Sequence, residues 1–579
     1  MSLNNIKVIL QKYKILAEAV VCAVGINMIF NYTIVSVYSL IFAILFYTVF
    51  GYLKKQYQID NYMNICAILL TIFTTMGKID YWLMADIDKI YKIMRLGFIA
   101  GSAFLIFRYI VGYIYVKYDF YIEKKGKMKK LSPNIIFALT FIMIGLAWFL
   151  ILLVEYPGII TFDTLAQIYQ FTGERALDNF NPLANTLWLG LQYHILRLIG
   201  LKNNNHIFAI ISMVQLLCID FIVSLQIRFL YRHLQSYISI AFSGLFYIFV
   251  TYHAFYSVMI GKDTCFSGVT LLLLLLLLKY FENNHRKYLI GIFFGGMLFC
   301  IFRGNGYPAY IFFMFFAIFY GIKKKDKLFV GTVIGVSIVS ALIVGGVYNL
   351  LGVAKRPYAE TLSIPIQQIA YVLSEGNELK EEESTLLNNI VDVDKMKVAY
   401  TDWLSDPVKS LFNNENYFKH HKVDYLLMYL KLGGRYPKQY LYAYVKQTYG
   451  YYSPELTTYP YLEGVHENNM GIERTPILSS TWVKRVSKMT TEYVKLPLYG
   501  SFCSIATYTW TVVIGFIYCI RKRNGVCLMN YALLLGIWIG LLIGTPVNAE
   551  FRYIYPLILT FPLNLFMPYC TQKEKSSLK

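Results

Sequence analysis

Charged residues are scarce in this chain of 579 residues. Asp, Glu, Lys and Arg make up 15% of it and hydrophobic residues 57%, whereas soluble globular proteins carry about 25% charged residues. The nine cysteines form no C-x-x-C pair or other metal-ligand spacing, which argues against a disulfide framework or a structural zinc site. A P-loop, a dinucleotide-binding glycine pattern and an H-E-x-x-H motif are also missing. This composition excludes a soluble enzyme and a disordered chain, and it requires a bilayer.

Long apolar runs are what the sequence has in abundance. A membrane span needs about 20 mostly apolar residues, and fourteen runs approach that length. They lie near residues 15–31, 34–52, 62–77, 96–116, 133–154, 206–228, 236–256, 265–281, 288–302, 307–322, 328–350, 498–520, 525–544 and 552–568. We therefore predict an all-α polytopic membrane protein with about fourteen transmembrane helices.

The basic residues indicate how the chain is oriented, because Lys and Arg concentrate in short cytoplasmic loops. The loops predicted to lie on one side of the membrane, together with both termini, hold 26 Lys and Arg but 6 Asp and Glu. The loops on the opposite side hold 10 Lys and Arg and 9 Asp and Glu. We therefore predict a multi-pass protein of the cell membrane with both termini in the cytoplasm. The net charge of +20 belongs to this cytoplasmic rim. The lipid bilayer is thus an expected partner, and no nucleic acid is.

Two long segments are predicted to lie on the outer side. Residues 156–205 form a first outer loop in which 183–200 is an amphipathic helix along the surface, because a span there would move the basic run at 323–327 outside. Residues 352–496 hold 17 basic and 17 acidic residues, and their helical spacing predicts a mainly helical extracytoplasmic domain. The predicted domains are 1–132 with four spans, the membrane core 133–351 including the outer loop, the outer domain 352–496, and 497–579 with three spans.

Asp163 is the first candidate for chemistry. It stands in YPGIITFDTLAQ, just after Pro157 and Gly158 end a span and turn the chain. A carboxylate at this point could cap the helix that follows, or it could act as a general base that the helix N-terminus keeps ionised. The two roles are compatible.

Further polar residues could bind an acceptor hydroxyl or a divalent cation. Asp178 and Asn181 lie in LDNFNPLANTLW, and Glu550 lies in NAEFRYIYP. Asn181 stands before a proline, which is also an ordinary signal for a helix start. No cofactor is certain, and a need for Mg²⁺ or Mn²⁺ is left open.

Cations lie at the predicted outer ends of several spans: Lys262 in IGKDT, Arg303 in FRGNGYP, Arg552 in NAEFRYIYP, and the pair Lys355 and Arg356 where the chain enters the outer domain. A single cation at a bilayer edge is often an anchor whose charge reaches up to water. As a group on the face that is poor in Lys and Arg, however, they suit a lipid phosphate, for which Arg offers a bidentate fork.

Taken together, YPGIITFDTLAQ, GKDT, RGNG, ETLSIPIQQIAYV (360–372) and NAEFRYIYP resemble the GT-C glycosyltransferases. More specifically, they resemble a poorly characterised family of multipass proteins of Gram-positive bacteria placed near that class. The resemblance runs from about residue 150 to the end. It implies a GT-C-like fold and transfer of a sugar from a polyprenyl-phosphate carrier, with Asp163 as base and Arg303, Arg552 and then Lys262 holding the phosphate. Where such proteins often carry His-Pro, this chain has Asn181 before its proline.

We therefore expect an integral-membrane glycosyltransferase whose active site lies on the extracytoplasmic face. Its donor would be a polyprenyl-phosphate-linked sugar, and its acceptor a cell-envelope glycan, polymer or glycolipid. In-line displacement at the anomeric carbon would invert its configuration. The alternatives are a transporter or flippase, or a polymerase, of lipid-linked saccharides. A transporter predicts ionisable residues in mid-span, and Glu18, Arg108 and Asp220 are the few present.

Overall fold

The computed structural model describes residues 3–29, 36–84, 88–123, 131–456 and 463–571. Helices account for nearly all regular structure in these ranges. In chain order they are α1 (Leu3–Ile29), α2 (Val37–Gln56), α3 (Asn61–Met76), α4 (Lys89–Glu123), α5 (Pro133–Val154), α6 (Phe162–Thr172), α7 (Leu183–Leu198), α8 (Asn204–Leu234), α9 (Tyr237–Phe249), α10 (Tyr252–Val258), α11 (Lys262–Asn283), α12 (Lys287–Ile301), α13 (Gly306–Lys323), α14 (Lys327–Leu342), α15 (Tyr348–Leu350), α16 (Ser363–Ser374), α17 (Glu381–Asn388), α18 (Val393–Ala399), α19 (Asp406–Lys409), α20 (Glu415–His420), α21 (Lys422–Arg435), α22 (Pro437–Thr448), α23 (Ser480–Glu492), α24 (Pro497–Phe502), α25 (Ile505–Lys522), α26 (Gly525–Gly544), α27 (Phe551–Leu559) and α28 (Phe561–Cys570).

Two short strands, β1 (Ile159–Ile160) and β2 (Met259–Ile260), complete the regular structure together with five short helical turns. Two of the turns are π-helical, at Asp80–Met84 and Ile343–Val347, and three are 3₁₀-helical, at Tyr358–Thr361, Tyr449–Tyr451 and Tyr493–Lys495.

Several of the helices can cross a membrane. Within the described ranges, eight are long and apolar enough to do so, or nine if the bent pair α9 and α10 is one span. The prediction of an all-α polytopic membrane protein is thereby confirmed in its coarse form. The count of fourteen spans and the position of the termini stay predictions, and residues 1–2 and 572–579 at those termini lie outside the described residues.

Two apolar runs that the sequence suggests as single spans are broken. The run 236–256 forms α9 and α10, whose axes are bent by 64° at the break. The run 552–568 is divided at Thr560, which ends α27 and precedes α28. Pro562 lies in the first turn of α28, where a residue without a backbone N–H is tolerated and a helix can begin anew.

The chain folds into two compact units. The first comprises residues 1–124, 364–456 and 546–548, and the second comprises 125–363, 457–545 and 549–579. The boundaries predicted from the sequence stay a prediction. The described part of 352–496 forms short helices.

In the first unit, α1 packs against both α2 and α4. Ile15, Cys22, Phe50 and Tyr109 form a buried apolar cluster between these helices. The rings of Phe50 and Tyr109 stack with their centroids 4.1 Å apart, which adds to the stabilisation from apolar burial.

In the second unit, the helical pairs α5 with α8, α11 with α12, and α13 with α26 make the most extensive contacts. Trp148 on α5 is fully buried and donates its indole N–H to the Tyr247 carbonyl at 2.9 Å. Strands β1 and β2 pair in parallel, with Ile159 opposite Met259 and Ile160 opposite Ile260. Because α6 and α11 begin directly after these strands, the pairing brings the two helix starts together.

Close packing of α13 on α26 gives a test of the fold. A Cβ atom added to Gly536 would lie 2.7 Å from the Ala309 carbonyl oxygen and 3.0 Å from its Cα. We expect Gly536→Ala to lower the free energy of unfolding by about 1–3 kcal/mol, the usual cost of overpacking. Thermal unfolding of the purified protein in detergent measures this.

Gly540, on the same helix, is the matched control. A Cβ atom there would meet nothing within 4 Å among the described residues. Gly540→Ala should leave the melting temperature unchanged or raise it slightly, because alanine favours a helix over glycine by up to about 1 kcal/mol. Equal effects of the two substitutions would contradict the packing of α13 on α26.

Candidate active site

The N-terminus of α6 is capped by Thr161 and not by Asp163. The Thr161 hydroxyl accepts from the Thr164 N–H at 3.4 Å, and the Thr164 hydroxyl accepts from the Thr161 N–H at 3.3 Å. Thr164 also donates to the Ile260 carbonyl at 2.5 Å, which ties the helix start to β2. The capping role considered for Asp163 is therefore wrong, since the residue before the helix already supplies the cap. The Asp163 carboxylate is left for other partners.

Asp163 lies between two of the predicted phosphate-binding cations. Its Oδ2 atom is 3.1 Å from Lys262 Nζ and 3.7 Å from Arg552 Nη1. The Asp163 side chain is 23% exposed, Lys262 16% and Arg552 25%, so all three can be reached from outside the protein. One carboxylate oxygen thus faces two positive charges from distant parts of the chain.

The electrostatics of this trio keep Asp163 ionised. Burial by itself would raise the pKa of the Asp163 carboxyl, but the Lys262 ammonium and the Arg552 guanidinium outweigh burial, and the pKa lies below its ordinary value. Opposite charges within a few ångströms favour the charged form in this way. With these partners Asp163 is an anion and a weak base.

Asn181 joins the same group. Lys262 Nζ donates to Asn181 Oδ1 at 2.5 Å, and the Asn181 side chain is almost fully buried. The amide therefore holds the Lys262 ammonium beside Asp163. Of the acceptor or metal candidates predicted from the sequence, Asn181 lies in the site as an orienting group for Lys262.

Glu550 lies beside Arg552. Its Oε1 is 3.4 Å from Arg552 Nε. Burial raises the pKa of the Glu550 carboxyl, and the neighbouring Arg552 offsets only part of that effect. Arg552 is thus shared between Asp163 and Glu550, and of these two carboxylates Glu550 is the one that takes up a proton more readily.

Arg303 is buried and already paired. Its Nη2 lies 3.2 Å from Asp263 Oδ1, and the two side chains are 8% and 6% exposed. Arg303 Nη1 also donates to the Tyr553 carbonyl at 3.0 Å. Arg303, which follows α12, thus connects Asp263 at the start of α11 with Tyr553 on α27. Asp263 was not among the candidates selected from the sequence. Its place directly after Lys262 at the start of α11 was the available signal.

Asp178 makes local contacts instead of joining this group. Its Oδ1 accepts from the Phe180 N–H at 2.9 Å, and its Oδ2 lies 3.4 Å from Arg175 Nη2. These contacts form a turn before α7. The part of the chain that the structure describes contains no group of three or more His, Cys, Asp or Glu side chains arranged to hold a metal ion.

An apolar cavity of about 320 Å³ lies next to the site, between α7, α8, α11 and α12. Trp188, Ile211, Gly261 and Phe302 are among its lining residues. Gly261 directly precedes Lys262 and Phe302 directly precedes Arg303, so the cavity wall adjoins the charged residues along the chain, although their side chains do not line it. A ligand with an apolar chain and a negatively charged head suits this combination.

Glu155 is a buried carboxylate that sequence reasoning did not select. Its Oε1 lies 2.5 Å from Arg474 Nη2, and its Oε2 accepts from the Gly464 N–H at 3.0 Å. Burial raises the pKa of Glu155, and the Arg474 guanidinium offsets part of that rise. The pair fixes the segment 463–474 against β1, where the His466 N–H donates to the Ile160 carbonyl at 2.9 Å. A carboxylate at the end of a span was the signal that could have identified it.

Comparison with known proteins identifies one relationship. The model of a family described as a family of unknown function, DUF6020, matches residues 172–579, more than two thirds of the chain. No curated protein matches, and no solved structure matches. The matched region contains Lys262, Arg303 and Arg552, whereas Asp163 precedes it.

The buried pair of Arg303 and Asp263 gives a stability test. We expect Arg303→Met to cost about 3–5 kcal/mol, because it leaves the Asp263 carboxylate buried without its partner. Adding Asp263→Asn to this variant should restore most of the loss. Thermal unfolding in detergent measures both.

Arg175→Ala is the control, because the pair of Arg175 with Asp178 is partly exposed and such pairs contribute about 0–1 kcal/mol. If Arg303→Met cost no more than Arg175→Ala, the buried pairing would be refuted.

Proposed function

We propose a function for this chain, which belongs to the DUF6020 family of unknown function. It is an integral-membrane glycosyltransferase that moves a sugar from a polyprenyl-phosphate carrier to a glycan, polymer or glycolipid of the cell envelope. One observation carries the proposal: the ionised Asp163 lies between Lys262 and Arg552, beside an apolar cavity. In this proposal the fold is GT-C-like with about fourteen spans, both termini are cytoplasmic, and the site faces outward.

The charges in the site support a phosphate-linked donor. A sugar joined to a polyprenyl phosphate carries one negative charge, and the polyprenyl phosphate that leaves carries up to two. Lys262 and Arg552 are positioned to stabilise the charge that develops on the leaving phosphate. The apolar cavity beside Gly261 would take the first isoprenoid units of the carrier. Arg303 is buried on Asp263, so we assign it the role of positioning α27 and hence Arg552.

The reaction step follows from these assignments. The acceptor hydroxyl oxygen attacks the anomeric carbon from the face opposite the phosphate and forms the new C–O bond. The bond between that carbon and the phosphate oxygen breaks, and its electron pair leaves with polyprenyl phosphate. The hydroxyl proton passes to Asp163 as general base. The configuration at the anomeric carbon is inverted, and no metal ion is required in this scheme.

Donor binding would make Asp163 a better base. Before the donor binds, the pKa of Asp163 is held low by Lys262 and Arg552, and a general base works best when its pKa lies near the working pH. A bound phosphate shares the charge of the same two cations. The pKa of Asp163 should therefore rise once the donor is bound, so that proton acceptance becomes easier when a substrate is present.

A transporter of lipid-linked saccharides is the second candidate, and one residue favours it. Asp220 is fully buried in α8, and its Oδ2 has no hydrogen-bond partner among the described residues. Ionisable side chains within spans often mark transport pathways, and the 64° bend between α9 and α10 is the kind of interruption found in transporters.

Asp163→Asn tests the transferase. The purified variant should bind a polyprenyl-phosphate sugar in nanodiscs while its release of polyprenyl phosphate, with envelope extract as acceptor, falls about 10²–10⁴-fold, the usual contribution of a general base. Asp178→Asn is the matched control and should keep wild-type turnover, because the contacts of Asp178 are local.

The alternatives give different results in that experiment. Undiminished turnover in Asp163→Asn would remove Asp163 from catalysis. The transporter would be the better account if the wild-type protein bound the lipid and moved it across a liposome bilayer without releasing the sugar. In that case Asp220→Asn should abolish the movement.

The pH dependence of the wild-type enzyme tests the charge sharing. Activity requires ionised Asp163, so it falls as the pH drops through the pKa of this group. The acid limb of kcat/KM reports the free enzyme and that of kcat the bound complex. We expect the kcat limb to lie at higher pH than the kcat/KM limb. Coincident limbs, measured by product release across the acid range, would refute competition between phosphate and Asp163 for the cations.

A further inference from the structure

The membrane helices of the first unit contain a cluster of charged side chains to which the proposed transferase gives no role. Glu18 lies on α1, Lys54 on α2 and Arg108 on α4. Glu18 Oε2 is 3.9 Å from Lys54 Nζ, and Glu18 Oε1 is 3.9 Å from Arg108 Nη1. The Tyr109 hydroxyl donates to Glu18 Oε2 at 2.7 Å. Two cations and one carboxylate thus meet where three apolar helices pack together.

The cluster is unbalanced in charge and in hydrogen bonds. Lys54 Nζ and Arg108 Nε are buried atoms with no hydrogen-bond partner in the described part of the chain. Lys14 stands one turn before Glu18 on α1 and adds a further positive charge. Buried donors and charges are normally paired, because leaving them unpaired costs free energy. The arrangement lacks an anion.

Glu18 does not meet that need by itself. Charge-assisted hydrogen bonds have lengths of about 2.7–2.9 Å, and both cations lie 3.9 Å from the carboxylate. The short contact of Glu18 is with Tyr109 instead. Both cationic side chains remain about one fifth exposed, at 21% and 22%. The Lys54 Nζ atom is itself covered, so its ammonium would reach an anion by a rotation of the flexible side chain.

We propose that Lys54 and Arg108 form a binding site for the phosphate group of an anionic phospholipid. Lys54 directly follows the second predicted span, on the face that the basic residues mark as cytoplasmic. Lys54 thus lies near the depth of the headgroup phosphates, whereas Arg108 lies deeper, within the predicted span 96–116, and its long side chain would reach toward the phosphate. Basic pockets between membrane helices on that face hold anionic lipid headgroups. The phosphate oxygens would accept from Lys54 Nζ and from the Arg108 guanidinium. The site is independent of the transferase proposed above.

Thermal unfolding of the purified full-length protein in detergent tests the site. The probes are phosphatidylglycerol, phosphatidylcholine with the same acyl chains, and inorganic phosphate. We expect phosphatidylglycerol to raise the melting temperature well above the value reached with phosphatidylcholine, since binding to the folded state stabilises it. If the two lipids act equally on wild type, the proposal is wrong.

Substitutions of opposite expected sign separate a lipid site from a purely structural ion cluster. Lys54→Met should weaken phosphatidylglycerol binding about fivefold or more, corresponding to about 1 kcal/mol for one lost basic contact. Glu18→Gln should strengthen it, because the carboxylate that competes with the phosphate is removed. If Lys54→Met does not fold, Arg108→Gln on α4 takes its place, and it too should weaken phosphatidylglycerol binding.

Lys117→Met is the matched control. Lys117 is exposed on α4 and lies 5.1 Å from the Tyr113 ring centroid. It forms no ion pair with Glu18 among the described residues. It should leave phosphatidylglycerol binding unchanged. A purely structural cluster would lose stability in Glu18→Gln and in Lys54→Met alike, with no change in the difference between the two lipids, and that result would overturn the proposal.

The arm with inorganic phosphate distinguishes the source of the anion. No stabilisation by phosphate alone supports a lipid, whose acyl chains add apolar contacts. An equal stabilisation by phosphate that is lost in Lys54→Met would support the same anion site and overturn its assignment to a phospholipid.

Discussion

Parallel pairing of β1 with β2 aligns the starts of two helices that are about one hundred residues apart in the chain. Ile160 lies opposite Ile260, so α6 and α11 begin at equivalent positions. Thr164 reinforces the alignment through its hydrogen bond to the Ile260 carbonyl. Both helix N-termini carry partial positive charge, and the pairing places Asp163 within 3.1 Å of Lys262. The contact of Asp163 with Lys262 therefore follows from the strand pairing, whereas Arg552 is brought to Asp163 by α27.

Charge balance is the second property of the site. Asp163, Asp263 and Glu550 lie with Lys262, Arg303 and Arg552 in a group of ion pairs at 3.1–3.7 Å. Each charge in this group already has a partner when no ligand is bound, whereas the loss of any member leaves a charge unpaired. A phosphate entering the site must therefore exchange partners with a carboxylate. Because Asp163 shares both of its cations with the proposed phosphate position, binding of the donor and basicity of Asp163 are coupled.

Local sequence features predicted many of the helices, but they did not predict the long-range contacts between them. The run 133–154 coincides with α5, because hydropathy and length suffice to define a membrane helix. Lys262 and Arg552 were selected from their place at span ends. That both contact Asp163 depends on tertiary packing across most of the chain, which no local pattern reports. The cap at Thr161 was missed because a threonine before a helix carries the same signal as the nearby carboxylate.

Buried charges need partners in both charged clusters, but the two clusters lead to opposite expectations about how long a ligand stays bound. The group around Asp163 contains three carboxylates and three cations in close contact, so each charge keeps a partner when a ligand leaves. That suits a substrate site, from which a product must leave. The cluster at Glu18 has more cations than carboxylates, and its cations lie 3.9 Å away. An excess of buried charge is relieved only while an anion stays bound, and that suits a resident lipid.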